Sequence, residues 1–225
     1  MKKNYTDITL LLDRSGSMAG TKADTIGGVN TFIEDQKKEE GEAKFTLVQF
    51  ATTARTDYTK DIKDVELLNQ DTYQPTGAST AYLDALGKTI NETGERLSAL
   101  PDDERPEKVV VVVMTDGFEN ASREFRRGTI KEMIKHQEEK YNWQFVFMGA
   151  NMDAVAEGST FGVKSANAFT FVQDSAGLKS AYGALSSNLR SYRKGEVENM
   201  SFTPEQREEQ EKDKKVSNTM TIAKK

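Results

Sequence analysis

Ile8-Thr9-Leu10-Leu11-Leu12-Asp13-Arg14-Ser15-Gly16-Ser17 is an apolar run that ends in a carboxylate and two alternate hydroxyls. A run without polar alternation predicts a central parallel strand covered on both faces. Gly16 permits a sharp turn, so Asp13, Ser15 and Ser17 can converge on one point. All three offer hard oxygen atoms, which suit Mg²⁺, Mn²⁺ or Ca²⁺ and suit zinc or copper poorly. On these residues alone the plainer reading is a strand and a Ser/Gly turn, with Asp13 as a helix cap.

Two further stretches shift the weight towards a metal site. Val109 to Val113 is five consecutive valines followed by Met114-Thr115-Asp116-Gly117, a second buried strand ending in an acid and a glycine turn. Pro75-Thr76-Gly77-Ala78-Ser79-Thr80-Ala81-Tyr82-Leu83-Asp84-Ala85-Leu86 is a glycine-containing loop that runs into an amphipathic helix, with Thr80 at the junction. The order is DxSxS, then GxxT, then TDG. In that order and at those places the chain resembles the von Willebrand factor A domain family, in its metal-ion-dependent adhesion site. The bacterial and phage intracellular members are the nearest in character. The resemblance runs from about Tyr5 to Arg193. It implies that Ser15, Ser17 and Thr80 bind a metal through their hydroxyls, and that Asp13 and Asp116 act directly or through water. It also implies Mg²⁺, with Mn²⁺ or Ca²⁺ as substitutes, and a strand order of 3-2-1-4-5-6.

Outward from these motifs, the chain alternates strands and helices. A helix is expected over about Thr21 to Glu39, where Ala23, Ile26, Val29, Phe32 and Ile33 recur at three- and four-residue spacing. Gly27 and Gly28 inside it suggest close approach to a sheet. Lys44 to Thr52 reads as a strand and Ala54 to Asp61 as a polar edge strand that pairs with it as a hairpin. Val65 to Leu68 is a short helix candidate. Further helices are expected over Thr80 to Leu100, Thr129 to Tyr141, Ala154 to Ser159 and Ala176 to Arg193. Strands are expected over Trp143 to Met148 and Phe169 to Val172. This pattern predicts a doubly wound, mainly parallel six-stranded α/β sheet with helices on both faces. Ligands of such sheets bind beyond the carboxyl ends of strands, where Asp13 to Ser17 and Asp116-Gly117 both fall.

The expected domain spans residues 1–194. From 195 to 225 the composition turns charged, and a solvated, flexible tail is expected. Thr203-Pro204-Glu205-Gln206 reads as a capping box, and Val197, Met200 and Phe202 are candidates for docking on the domain or on a partner.

The bulk composition narrows the function. The 225 residues carry a net charge of −5, which gives no reason to expect nucleic acid. There is no cysteine, hence no disulfide frame, thiolate zinc site or cysteine nucleophile. No segment approaches the roughly 18–20 apolar residues of a membrane span, and the five-residue apolar run after Met1-Lys2-Lys3 is too short and too acidic for a signal peptide. A cytoplasmic protein is expected. Arg14, Arg123, Arg126 and Arg127 form either a basic rim or ordinary solvated charge.

Two function classes stand against each other. One is a binding module whose metal takes an Asp or Glu from a partner protein into an open position. The other is a Mg²⁺-dependent enzyme such as a phosphohydrolase. Against the enzyme, the chain has one histidine, His136, no GxxxxGK[ST] loop and no GxGxxG. Asp13 also lacks the second acid of aspartyl-phosphate phosphatases, since Ser15 stands there. No catalytic residue is expected.

Overall fold

In the computed structural model, which describes residues 1–210, the opening run forms strand β1 (Lys2–Asp13), buried without interruption from Thr6 onward. The valine run forms β4 (Pro106–Thr115) beside it. The other strands are β2 (Glu42–Phe50), β3 (Ala54–Asp61), β5 (Gln144–Ala150) and β6 (Ala168–Phe171). They make one sheet in the order β3-β2-β1-β4-β5-β6. All neighbours are parallel except β2 and β3, which pair as the expected hairpin.

The absence of alternation in β1 and β4 has a simple cause. Successive side chains of a strand point to opposite faces, and here each face has its own core. Leu10, Leu12, Val110 and Val112 pack with Phe32, Ile33, Leu185 and Leu189, from helices α1 (Lys22–Lys38) and α5 (Ser175–Lys194). Leu11, Val111 and Val113 pack with Leu86, Ile90 and Ile134, from α2 (Tyr82–Ser98) and α3 (Arg127–Tyr141). A short α4 (Ala154–Thr160) covers β5 and β6. Among the described residues no helix is long and apolar enough to cross a membrane.

Three local expectations are corrected. Val65 to Leu68 is not helical: a 3-10 turn occupies Ile62–Asp64, and the following backbone runs extended along α1. Side chains of α1 satisfy it, with Lys37 Nζ donating to Val65 O at 2.9 Å and Leu68 N donating to Asn30 Oδ1 at 2.8 Å. Gly28 does permit a close approach, but to a helix rather than the sheet. A Cβ there would fall 2.1 Å from the Tyr182 ring of α5. Gly28→Ala should therefore push α1 from α5 and cost about 1–3 kcal/mol, read as a lower urea midpoint; an unchanged midpoint would show that Tyr182 can move aside.

The third correction concerns the tail. Met200 and Phe202 are buried in the α1/α5-side core, and the Phe202 ring stacks on Phe169 of β6 at 4.3 Å. Residues 204–210 are helical. The capping box closes reciprocally, Thr203 N donating to Gln206 Oε1 at 2.9 Å and Gln206 N to Thr203 Oγ1 at 3.3 Å. Val197 stays exposed. The packed body therefore passes residue 194. The part of the charged stretch after 210 lies outside the described residues.

Candidate metal centre

β1 and β4 lie side by side with Leu12 opposite Met114, so Asp13 and Thr115 leave the sheet together at its carboxyl edge. Three loops meet there. The first, 14–17, is held to the sheet and to the second loop by backbone bonds: Arg14 N to Phe50 O at 2.7 Å, Gly16 N to Gly77 O at 2.9 Å, and Thr76 N to Arg14 O at 2.7 Å. Gly77 takes φ +85°, a conformation that favours glycine. The third loop, 115–120, is tied to the second by Asn120 N to Thr80 O at 3.0 Å and Thr80 N to Asn120 Oδ1 at 2.8 Å.

Of the five residues expected at a metal site, four lie in these loops and Asp13 ends β1 just before the first. Ser15 Oγ is 3.0 Å from Ser17 Oγ, and Ser17 Oγ donates to Asp116 Oδ1 at 2.6 Å. Asp13 is fully buried although it ends a strand. Its Oδ1 accepts from Ser15 N at 2.7 Å and its Oδ2 from Thr115 Oγ1 at 2.5 Å. Burial pushes its carboxyl above the ordinary carboxylate value, against the opposing pull of the Thr115 and Ser15 hydrogen bonds. Thr80 is buried just before α2. Its hydroxyl faces the Asp116-Gly117 turn, since a Cβ on Gly117 would sit 3.0 Å from Thr80 Oγ1.

The donor set fits a hard divalent ion. An octahedral ion with bonds of about 2.1 Å places neighbouring ligands about 3.0 Å apart, the spacing of the two serine hydroxyls. The set is hydroxyl-rich: among the described residues no three of His, Cys, Asp and Glu gather at one point.

Residues that the motif does not contain complete the arrangement. The Tyr73 hydroxyl donates to Asp13 O at 2.7 Å. Gln173, between β6 and α5, donates its amide to Asp116 Oδ2 and to Ser17 O. The partner of Gln173 is Asn151, whose Oδ1 accepts from Gln173 N at 3.3 Å. Glu119 is turned away from the site. It accepts from Leu83 N at 3.0 Å, Ala121 N at 2.9 Å and Ser122 N at 2.7 Å, and so closes the start of α2. The basic rim is only partly assembled. Arg127 pairs with Glu157 of α4 at 2.7 Å, while Arg123 and Arg126 are exposed. His136 lies at the other edge of the sheet, in a hollow of about 390 Å³ with Ile90, Val109 and Trp143.

Residues 7–184 match the family model of the von Willebrand factor type A domain. The chain belongs to that family. No match was found among curated protein sequences. Among solved structures, this VWA domain is similar in fold to proximal thread matrix protein 1 of the mussel byssus, at 17% identity and a TM-score of 0.55 over 86% of this chain and 47% of that one. A form of the same mussel protein with a zinc-occupied MIDAS motif aligns at 15% identity and a TM-score of 0.57, over 81% and 47%. A von Willebrand factor type A protein from Catenulispora acidiphila aligns at 16% identity and a TM-score of 0.52, over 84% and 43%. The chain thus spans under half the length of these structures.

Proposed function

We propose that this VWA domain is a divalent-metal-dependent protein-binding module. Asp13, Ser15, Ser17, Thr80 and Asp116 hold one Mg²⁺-type ion, and an Asp or Glu of a partner protein completes its shell. The observation that carries the reading is the run of close oxygens from Ser15 to Ser17 to Asp116, built from two separate loops. Three of the five donors are neutral. An ion so held keeps much of its positive charge and attracts an incoming carboxylate. A cytoplasmic setting belongs to the same reading. Against the phosphohydrolase alternative, the one imidazole lies at the opposite edge of the sheet.

Calorimetric titration with Mg²⁺, Mn²⁺ and Ca²⁺ tests the site. Zn²⁺ is added because a zinc ion occupies the motif in a form of the mussel protein. Asp13→Asn should abolish binding. Alanine is the poorer choice, because it strips the acceptor from Ser15 N and Thr115 Oγ1 and so costs about 1–3 kcal/mol of stability. Undiminished affinity in Asp13→Asn would refute the site. Capture of the native partner from host extract should be lost in EDTA and in both Thr80→Ala and Asp116→Ala. Equal capture in EDTA would refute the binding mechanism.

A further inference from the structure

Five large hydrophobic side chains are conspicuously exposed among the described residues, and one of them, Phe118 at 59%, belongs to the loops of the metal centre. Scattered exposed hydrophobic residues are ordinary, so exposure alone assigns Phe118 nothing. Its loop gives it a role.

Phe118 is the second residue after Asp116, at the tip of a turn fastened on both sides. Before the tip, Gly117 N donates to Thr115 Oγ1 at 3.1 Å. After it, Glu119 is tied into the start of α2 and Asn120 is bonded twice to Thr80. The ring is therefore carried by a backbone that is already ordered, and a phenyl group has only two torsions left to fix. A large apolar side chain presented this way binds at low entropic cost. Gly16, Ser17, Thr76, Gly77 and Ala78 of the neighbouring loops are exposed, small and uncharged, and the exposed Arg123 and Arg126 follow along the chain. Aromatic anchors beside a buried polar contact are what concentrate binding energy at interfaces.

We propose that Phe118 is the apolar anchor of the partner site, and that the partner offers an Asp or Glu with a large apolar side chain next to it or next but one. Two residues of chain hold the Phe118 and Asp116 Cα atoms within about 7 Å of each other, so a partner side chain one or two positions from the acid is within reach of the ring. This inference rests on the metal-dependent reading above. The ion supplies the charge contact, and Phe118 selects among acidic segments by the neighbour of the acid.

The test is a phage-displayed library of random peptides, bound in Mg²⁺ and eluted with EDTA, on wild type and on Phe118→Ala. Wild type should enrich Asp or Glu flanked by Leu, Ile, Phe, Met or Trp. Phe118→Ala should enrich the acid without the flanking preference. A synthetic peptide from the wild-type pool should bind Phe118→Ala about ten- to a hundredfold more weakly and Phe118→Leu nearly as well as wild type. Mg²⁺ affinity should be equal in all three. An acid-enriched pool with no apolar neighbour, or equal peptide affinity in Phe118→Ala, would overturn the anchor while leaving the metal reading standing. Reduced Mg²⁺ affinity in Phe118→Ala would overturn it too, by showing that the ring acts on the loop. A wild type that yields no EDTA-eluted binder would overturn both.

Discussion

Gly16→Ala is expected to lose the proposed ion while leaving the sheet folded. A Cβ at Gly16 would stand 2.6 Å from Gly77 O, against a backbone atom that cannot swing aside as a side chain can. Loops 14–17 and 76–80 would have to part by about half an ångström or more to restore ordinary contact. They are the loops that carry Ser15, Ser17 and Thr80, and they are joined at this point by Gly16 N to Gly77 O and Thr76 N to Arg14 O. Metal–ligand distances are expected within about 0.2 Å of their usual values, and a parting of the loops larger than that should lower affinity for Mn²⁺ by about a hundredfold. The strands end before the clash, and both cores lie beneath it, so the melting temperature in EDTA should drop by only a few degrees. Calorimetry and thermal melting on the same preparation separate the two effects. Affinity within threefold of wild type would mean that the loops do not act as one unit, or that the ion sits elsewhere.

What the sequence reveals, and what it hides, divides by distance along the chain. β1 and β4 are legible because two covered faces leave a continuous apolar run. The motif residues are legible because each sits within a few positions of a strand end or helix start. Val65 to Leu68 misleads because its apolar side chains are compatible with a helix, while its backbone partners, Asn30 and Lys37, are supplied by another element. The burial of Asp13 is hidden in the sequence because the groups that bond it, Tyr73 and Thr115, are 60 and 102 residues away. Gln173 has no local signal at all: it meets the site across 156 residues, from the far side of the sheet. Glu119 shows the converse, an acid beside the motif whose hydrogen bonds close a helix start instead. In the charged stretch after 195, Met200 and Phe202 stand out as docking candidates, but they are too few to form a periodic stripe that would show which surface they meet; both are buried on the domain, while Val197 is exposed.

Those two positions make the tail the place where the largest loss of stability is expected. A chain ending at Gly195 should melt well below one ending at Gln210. The edge strand β6 is only four residues long, and the segment after 195 covers it. Phe202 stacks on Phe169 and its N–H donates to Ala166 O at 2.9 Å. Gln210 Oε1 accepts from Val172 N at 3.2 Å, and its amide donates to Gly177 O at 3.2 Å. Asn188 Nδ2 of α5 donates to Ser201 O at 3.2 Å. Truncation removes the buried Met200 and Phe202 side chains, the hydrogen bonds named above and the cover over Phe169, which is wholly buried in the full chain. The shorter chain should melt lower, by roughly 2–4 °C for each kcal/mol lost in a domain of this size. The uncovered edge of β6 should also make the shorter chain prone to aggregate. Phe202→Ala in the full chain isolates the stacking contribution and should lose about 3 kcal/mol or more by itself. Equal melting temperatures for the chains ending at Gly195 and Gln210 would show that the segment rests on the domain without supporting it. Val172 is the residue before Gln173, whose amide reaches Asp116 and Ser17. The same truncation should therefore weaken ion binding as well, and a truncated chain with full metal affinity would show that the Gln173 contact stands without the tail.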